Sequence, residues 1–402
     1  AILPAVLLSD GPCVIENLPD ISDVSTILRT MQSLGAQIRM INRSTVEIDP
    51  RHVNSFVVSK KMAEGMRASS YFLGALLGRM LRARVAPPGG CDFGVRPIDQ
   101  HIKGFEALGA KMTIENGMVD AKAMSLTGCL IYLDVVSVGA TINIMLAAAK
   151  ADGLTIIENA AREPHIVDLA NFLNSMGANI MGAGTGVIKI RGVKHLSGAD
   201  YSIIPDQIEA GTYMAAAVAT RGDILVTNVT PKHLESIIAK LRETGAEITE
   251  FDESVRVKMT RRPRKCNVKT MPHPGFPTDM QPQIAAVLSI ADGTSIITEG
   301  VWDSRFRYVE QLTFMGADIQ VDGKMAVITG VECLKPSPVR AVDLRAGAAM
   351  IIAGLSADGT TEIEEIDHID RGYENVVEKF SALGADIKRV KTFDNIKALK
   401  QA

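Results

Sequence analysis

The sequence predicts an α/β protein in which one structural unit of about 70 residues occurs six times. Two observations lead to this prediction. A Gly-Ala pair recurs at roughly this interval, and each pair ends an amphipathic pattern and precedes Ile or Met, as a helix stop before a strand does. In five units another glycine stands upstream of the pair, after an apolar segment. The pairs begin at Gly35, Gly109, Gly177, Gly245, Gly316 and Gly384.

Each unit is predicted to contain an amphipathic helix, strands and a second helix that is apolar on all sides. A helix without a polar face belongs in a protein interior. Six units divide into two similar domains of three, residues 1-204 and 205-402, with buried parallel helices inside and sheets outside. This is an inside-out α/β barrel arrangement. The predicted buried helices are Tyr71–Leu81, Ile142–Ala149, Thr212–Ala219, Ile284–Ala291 and Ala346–Ala357.

Composition and charge exclude several classes of function. The 402 residues are 47% hydrophobic and 22% charged with a net charge of −3, so no overall field attracts nucleic acid or a membrane surface. The basic run at residues 261–265 is short, and we interpret it as a solvated hairpin. No apolar run is long enough to span a membrane. No spacing is typical of a metal site, and nothing in the sequence indicates an oligomeric state.

Five cysteines are scattered along the chain, an odd number that fits a reducing cytoplasm better than a disulfide framework. Four of them have no glycine-rich surroundings, and we expect them to be structural. His101, His273 and His368 lie close to other motifs, and we expect plain hydrogen-bonding roles for them rather than acid–base catalysis. The four structural cysteines are Cys13, Cys129, Cys266 and Cys333.

The fifth cysteine, Cys91, stands in the segment Pro87–Asp99, whose glycines and prolines exclude a regular helix or strand. A loop of this kind can present a thiol to solvent. Arg96 follows five residues later and could hold an anionic substrate beside the sulfur and perturb its pKa. The alternative is a glycine-rich turn whose cysteine is merely unpaired, and the loop alone does not decide between the two.

The predicted buried helices begin with residues that are unusual for helix starts. A helix N-terminus has free N–H groups and partial positive charge, which favour a bound phosphate. Asp206 and Asp279 could be ordinary N-terminal caps. Arg67 and Arg345 oppose the helix dipole, so we expect an anionic partner near each. Ser137 opens the segment Ser137-Val138-Gly139 at the equivalent place in the second unit.

Several ordered motifs resemble those of the UDP-N-acetylglucosamine enolpyruvyltransferases, also called 1-carboxyvinyltransferases. The similarity runs from Pro4 to about Val390, nearly the whole chain. The matching motifs are Pro88-Gly89-Gly90-Cys91, Gly94-x-Arg96-Pro97-x-Asp99, His101-Ile102, Ser137-Val138-Gly139-Ala140-Thr141, Glu158-Asn159-Ala160-Ala161-Arg162-Glu163-Pro164, Phe276-Pro277-Thr278-Asp279 and His368-Ile369-Asp370-Arg371-Gly372-Tyr373.

The resemblance implies two inside-out domains with the active site between them, and transfer of enolpyruvate from phosphoenolpyruvate to the sugar 3′-hydroxyl. It implies no cofactor, a cytoplasmic location, a role in peptidoglycan and cell-wall synthesis, and with it in cell shape, the cell cycle and division, and inhibition by fosfomycin. Cys91 is implied as proton donor and Asp279 as base. Arg96, Arg345 and Arg371 would surround phosphoenolpyruvate and its phosphate, and Arg67 would contact the substrates near the closing loop. The remaining implied contacts are Pro97, Ile98, Asp99, Gln100, Ser137, Val138, Gly139 and Val301 for the UDP-sugar, and Arg305 and Asp343 at the cleft.

Two other functions remain open at this stage. One is a paralogue that binds UDP-sugar, or regulates a partner, after losing catalysis. The other is 5-enolpyruvylshikimate-3-phosphate synthase, which is similar in architecture but lacks such a cysteine loop. Val135 and Gln207 differ from the residues of many family members. The family's Lys-Asn pair would fall ahead of Ala1, and we expect the natural protein to carry some two dozen further residues there.

Overall fold

The computed structural model describes residues 1–63, 66–87 and 98–390, apart from the side chain of Arg67. It confirms the α/β class and shows helices surrounded by sheets. The α-helices in chain order are α1 Ile2–Val6, α2 Ser22–Leu34, α3 Lys60–Ala63, α4 Tyr71–Met80, α5 Asp99–Ala107, α6 Val138–Ala148, α7 Pro164–Ser175, α8 Gln207–Ala219, α9 Glu235–Glu243, α10 Gln281–Ser289, α11 Val309–Phe314, α12 Leu344–Ser356, α13 Asp367–Asp370 and α14 Val376–Ala382.

Short 3₁₀ turns lie at Arg67–Ser70, Pro231–Leu234, Thr278–Met280 and Arg305–Tyr308. The strands are β1 Cys13–Glu16, β2 Gln37–Asn42, β3 Thr45–Asp49, β4 Val57–Val58, β5 Arg82–Val85, β6 Lys111–Glu115, β7 Met118–Lys122, β8 Leu130–Tyr132, β9 Leu154–Glu158, β10 Asn179–Met181, β11 Val187–Arg191, β12 Asp200–Ser202, β13 Asp223–Thr227, β14 Glu247–Glu250, β15 Ser254–Lys258, β16 Val268–Lys269, β17 Thr294–Thr298, β18 Asp318–Asp322, β19 Met325–Thr329, β20 Val339–Arg340 and β21 Ile363–Glu364.

The helices without a polar face are buried. Every residue of α10 is buried, and α8 and α12 pack against it and against each other. In the first half, α4 and α6 pack so closely that the backbone N–H of Gly74 donates to Asn143 Oδ1 at 2.8 Å. A Cβ at Gly74 would lie 2.4 Å from the carbonyl oxygen of Asn143, so this approach requires glycine.

The six repeated glycines end the amphipathic helices. All six have positive φ, between 87° and 109°, a backbone conformation that glycine adopts without steric cost. In five units the chain then enters a strand that forms a hairpin with the next strand. In the sixth unit the prediction of a strand after Gly384 is wrong for residues 385–390.

The sheets join successive units. A short strand from one unit pairs in parallel with the first strand of the next unit, as β4 does with β5 and β8 with β9. At the end of the third unit, β12 pairs in parallel with β1 of the first unit, which closes a ring of three sheets. In the second half, β16 joins β17 and β20 joins β21 in the same way. The buried helices lie inside the ring of the first half and among the sheets of the second half.

Buried apolar residues form two clusters, one within residues 2–196 and the other within residues 208–380. Their separation supports the predicted division into residues 1-204 and 205-402, which remains a proposal. Within the described ranges, no helix has the length and apolar character needed to cross a membrane.

Candidate active site

The carboxylate of Asp279 lies between two arginines of the second half. Its Oδ1 accepts a hydrogen bond from Arg305 Nη2 at 3.4 Å, and its Oδ2 accepts one from Arg345 Nη2 at 3.2 Å. Asp279 stands in the 3₁₀ turn Thr278–Met280 ahead of α10. The N-terminal cap of α10 is Met280, without a side-chain cap hydrogen bond. Asp279 is therefore not the N-cap of this helix, and its carboxylate is instead bound by the two arginines.

Carboxylates surround Arg345 at the start of α12 and explain why a cation is tolerated at this helix N-terminus. Asp343 caps this helix and accepts hydrogen bonds from the backbone N–H groups of Arg345 and Ala346 at 2.8 and 2.9 Å. Burial alone would lower the pKa of Arg345, but the negative charges of Asp279 and Asp206 raise it above its usual value. The expectation of an anionic partner beside this arginine is confirmed.

A buried network of polar side chains hydrogen-bonds to Arg345 and orients its guanidinium. Its Nη1 donates to the Tyr373 hydroxyl at 3.4 Å, and this hydroxyl lies 2.8 Å from Thr212 Oγ1. Gln283 Nε2 donates to Thr212 Oγ1 at 3.2 Å. The network connects α8, α10 and α12 at one end of the buried helices. It therefore couples the guanidinium position to the packing of the second half.

Glu299 was not identified from the sequence, although it follows β17 directly beside Val301. Glu299 is only 1% exposed, and its carboxylate accepts hydrogen bonds from the Thr278 hydroxyl and from the backbone N–H of Val301. Units one, three and six have a glutamate one position earlier, as the last residue of the corresponding strand, at Glu16, Glu158 and Glu364. Because successive residues of a strand point to opposite faces, those glutamates gave no signal for Glu299, whose burial depends on the tertiary fold.

In the first half, α6 begins beside His101. The hydroxyl of Ser137 caps the helix by accepting from the N–H of Ala140 at 3.3 Å. A Cβ on Gly139 would lie 3.0 Å from the His101 ring, which explains the glycine in the first turn of α6. The predicted substrate contacts Ser137, Val138 and Gly139 therefore form one helix N-terminus.

The second group of predicted contacts in the first half opens α5. Ile98 is the N-terminal cap residue, and Asp99 and Gln100 are the first two residues of the helix. Gln100 Nε2 donates to Asp99 Oδ2 at 2.8 Å, and Gln100 Oε1 accepts from the backbone N–H of Asp134 at 2.9 Å. Lys103 forms an ion pair with Asp134 at 2.7 Å. These contacts fix the side chain of Gln100 against the strand-to-helix connection before α6.

His101 is held in its neutral form. Asn143 accepts the Gly74 N–H through Oδ1, so its amide Nδ2 donates to His101 Nδ1 at 2.9 Å. Burial lowers the pKa of His101 to about 4, although Asp99 opposes the shift. This agrees with a structural role for the histidine.

Protonation of His101 is expected to destabilise the fold in acid. The unfolded chain binds the proton near pH 6.5 and the native state binds it only near pH 4. The contribution of neutral His101 to the free energy of unfolding is therefore fully present above pH 6.5. It is lost as pH falls through this window, by about 3 kcal/mol at most. Urea unfolding of wild type and His101→Gln at neutral and acidic pH measures the difference. His195→Gln, at an exposed ring, is the control and should keep the wild-type pH dependence. Equal pH dependence in His101→Gln would contradict this account.

Residues of the two halves contact each other directly. Arg371 Nε donates to Asp23 Oδ1 at 2.9 Å, and both side chains are mostly buried. The backbone N–H of His273 donates to Glu163 Oε1 at 3.4 Å.

The structure thus brings Asp279, Arg305, Arg345 and Asp343 together, and Val301 lies beyond Glu299. The segments Ile98–Gln100 and Ser137–Gly139 form the first-half group. The predicted residues Cys91, Arg96 and Pro97 lie outside the described residues, as does the side chain of Arg67.

Comparisons with solved structures agree with this architecture. The enolpyruvyl transferase NikO from Streptomyces tendae is similar with a TM-score of 0.88 and 26% identity, over 96% of this chain and 92% of that chain. EPSP synthase from Acinetobacter baumannii shares the fold with a TM-score of 0.75 at 17% identity, over 97% and 95% of the two chains. The fold is that of the enolpyruvyltransferases.

Sequence comparisons define the family. The family model described as EPSP synthase (3-phosphoshikimate 1-carboxyvinyltransferase) matches residues 1–380. UDP-N-acetylglucosamine 1-carboxyvinyltransferase 3 of Caldanaerobacter subterraneus is 56% identical over 391 residues, and the Clostridium botulinum UDP-N-acetylglucosamine 1-carboxyvinyltransferase is 55% identical. Each alignment covers 97% of this chain and 94% of the relative. The chain belongs to the UDP-N-acetylglucosamine 1-carboxyvinyltransferases within the EPSP synthase family, which confirms the resemblance in the sequence motifs.

Proposed function

We propose that this protein transfers the enolpyruvyl group of phosphoenolpyruvate to the 3′-hydroxyl of UDP-N-acetylglucosamine and releases phosphate, in peptidoglycan precursor synthesis. The observation that carries the proposal is the 56% identity along nearly the whole chain to a relative named for this carboxyvinyl transfer. The arginine-flanked carboxylate of Asp279 supplies a site of suitable chemistry.

The reaction is an addition followed by an elimination. The sugar oxygen forms a bond to C2 of phosphoenolpyruvate, and C3 gains a proton, which gives a tetrahedral ketal. The C2–O bond to phosphate then breaks with its electron pair on the phosphate oxygen, and C3 loses a proton to restore the double bond. One group must accept the hydroxyl proton, another must donate to C3, and cations must hold the carboxylate and phosphate.

Asp279 is the proposed base for the sugar hydroxyl. An ionised carboxylate can accept a proton, and the two arginines beside it favour the ionised form. Because Arg305 and Arg345 hold both oxygens, the carboxylate is oriented before substrate arrives. Cys91 is the proposed proton donor to C3, and this assignment rests on its glycine-rich segment and on the family resemblance.

Arginines are the proposed ligands of phosphoenolpyruvate. Planar guanidinium groups bind carboxylate and phosphate oxygens in pairs. The Tyr373 hydroxyl accepts a hydrogen bond from Arg345, and Arg371 donates to Asp23 of the other half. The anions of the substrate would compete with these internal carboxylates. Arg67 and Arg96 complete the proposed set.

The proposed UDP-sugar contacts come from both halves. The N-terminus of α6 at Ser137–Gly139 offers backbone N–H groups and partial positive charge to the diphosphate. The start of α5 at Ile98–Gln100 would contact the nucleotide, together with Pro97. Val301, which is partly exposed beside Glu299, would contact the sugar. We place the reaction in the cytoplasm, where the free thiols of the described cysteines would remain reduced.

Steady-state phosphate release tests the proposal. Purified protein should release phosphate from phosphoenolpyruvate only when UDP-N-acetylglucosamine is present. Replacement of the sugar nucleotide by shikimate 3-phosphate should give no release. Binding of UDP-N-acetylglucosamine without phosphate release would instead indicate the catalytically impaired paralogue, and fosfomycin should inhibit the active enzyme. Loss of the activity in cells is expected to disturb cell shape, the cell cycle and division through the cell wall.

A further inference from the structure

Glu299 is a buried carboxylate that receives hydrogen bonds from two separate segments. Its Oε1 accepts from the backbone N–H groups of Val301 and Trp302 at 2.8 and 3.0 Å. Its Oε2 accepts from Thr278 Oγ1 at 3.1 Å and from Gln281 Nε2 at 3.2 Å. A buried carboxylate is costly unless its lone pairs are satisfied, and these four donors satisfy them.

The two segments carry different parts of the proposed site. Thr278 and Gln281 flank the turn that holds Asp279, and Val301 is the proposed sugar contact. The side chain of Glu299 therefore joins the proposed base to the proposed sugar-binding loop. A second contact also connects the segment after β17 to the turn that holds Asp279. Arg305 Nε donates to the backbone carbonyl of Thr278 at 3.2 Å.

We infer that Glu299 is a positioning residue, which sets the distance between the Asp279 carboxylate and the sugar bound against Val301. The inference rests on the proposed function of this site. Proton abstraction requires the base within hydrogen-bonding distance of the hydroxyl, and a displacement of about 1 Å can reduce the rate by about 10²-fold. The geometry of the four hydrogen bonds, rather than the charge of Glu299, carries this role.

The side chain of Gln281 allows the charge of Glu299 to be tested separately from its hydrogen bonds. Its Oε1 is buried and has no hydrogen-bond partner in the described part of the chain. In Glu299→Gln, the amide oxygen can still accept from Val301 and Trp302. The new NH₂ group can donate to Thr278 Oγ1 and to Gln281 Oε1 after a flip of the Gln281 amide. Glu299→Gln thus removes the charge and keeps the connection, whereas Glu299→Asp keeps the charge and shortens the connection by one methylene.

Comparison of these two variants tests the inference. Glu299→Gln is expected to keep kcat/KM within about threefold of wild type, and Glu299→Asp to lose about 10²-fold, with a higher KM for UDP-N-acetylglucosamine and a lower kcat. Glu299→Ala should lose at least as much as Glu299→Asp. The reverse order, with Glu299→Asp more active than Glu299→Gln, would show a role for the charge and overturn the inference. Because the decisive pair conserves a polar side chain, the test does not depend on whether Glu299→Ala folds.

Trp302 gives a readout that needs no turnover. It is the single tryptophan of the chain, and its backbone N–H is bound by Glu299. Quenching of its fluorescence by acrylamide should increase in Glu299→Asp and stay near wild type in Glu299→Gln. Thr244→Val removes one buried hydrogen bond of the same half at the end of α9 and is the control for a general loss of stability. It should leave both the quenching and KM near wild type.

Outcomes for the inference and for the proposed function can be distinguished. A wild-type protein that releases no phosphate would contradict the proposed function, and the quenching measurement would still decide whether Glu299 holds the loop. An active wild type whose Glu299→Asp variant has unchanged KM, kcat and quenching would overturn the inference alone.

Discussion

Replacement of Asp279 by asparagine is expected to lower kcat by about 10³-fold, within the range of 10² to 10⁴ that general acid–base groups contribute. Asparagine has nearly the same shape and still offers an oxygen to Arg305 or Arg345, but it cannot accept the hydroxyl proton at neutral pH. Because the turn is retained, the KM for UDP-N-acetylglucosamine should change much less than kcat. Phosphate release over a range of both substrates separates the two parameters.

Asp303→Asn is a matched control for this substitution. Asp303 is highly exposed and pairs with Lys324, so its neutralisation should leave kcat near wild type. Thermal unfolding of both variants checks that any loss of activity is not a loss of fold. Asp279→Asn activity within threefold of wild type would exclude Asp279 as the base.

Replacement of Cys91 by serine is expected to reduce turnover by about 10²- to 10⁴-fold, because a serine hydroxyl is a much weaker acid than a thiol. Cys91→Asp, which keeps an ionisable acid, should retain part of the activity. Fosfomycin, an epoxide mimic of phosphoenolpyruvate, should label wild type once, at Cys91, and block turnover. Intact-mass measurement and peptide mapping identify the labelled residue.

The other cysteines provide controls for this labelling. Burial raises the pKa values of Cys13, Cys129 and Cys266, the last to about 11, so few of these thiols are ionised at neutral pH. Cys333 is exposed, and Cys333→Ser should be labelled and active like wild type. An adduct on Cys333 in wild type, or labelling that persists in Cys91→Ser, would contradict the assignment.

The repeat was predictable because its signals are local. Glycine with positive φ ends a helix wherever it stands, and a wholly apolar helix must be buried, so Gly35 and α10 could be placed from sequence alone. The start of α12 was also informative, since an arginine there calls for an anion. Asp279 supplies this anion within the protein, whereas Asp343 caps the helix through the backbone N–H of Arg345.

Contacts between distant segments were not predictable from the same patterns. Arg262 was expected to be solvated, and this was wrong. Its guanidinium donates to the carbonyls of Ile290 and Ala291 at the end of α10, at 2.9 and 3.0 Å, and to Gly330 and Val331. A charge pattern does not reveal that an arginine caps a helix elsewhere in the chain. The burial of Glu299 similarly depends on the approach of two segments that are separated in sequence.

The central claim is that an enolpyruvyl ether forms through a ketal whose C3 carries a proton taken from solvent through the enzyme. Proton NMR of the product formed in D₂O tests it most directly. The account predicts a new vinyl group on UDP-N-acetylglucosamine at the 3′-oxygen, with deuterium at its methylene carbon. In D₂O, C3 of the ketal becomes a CH₂D group, and elimination removes either a proton or the deuteron, so part of the product retains deuterium. Phosphate release without a vinyl ether, or a vinyl group free of deuterium, would contradict it.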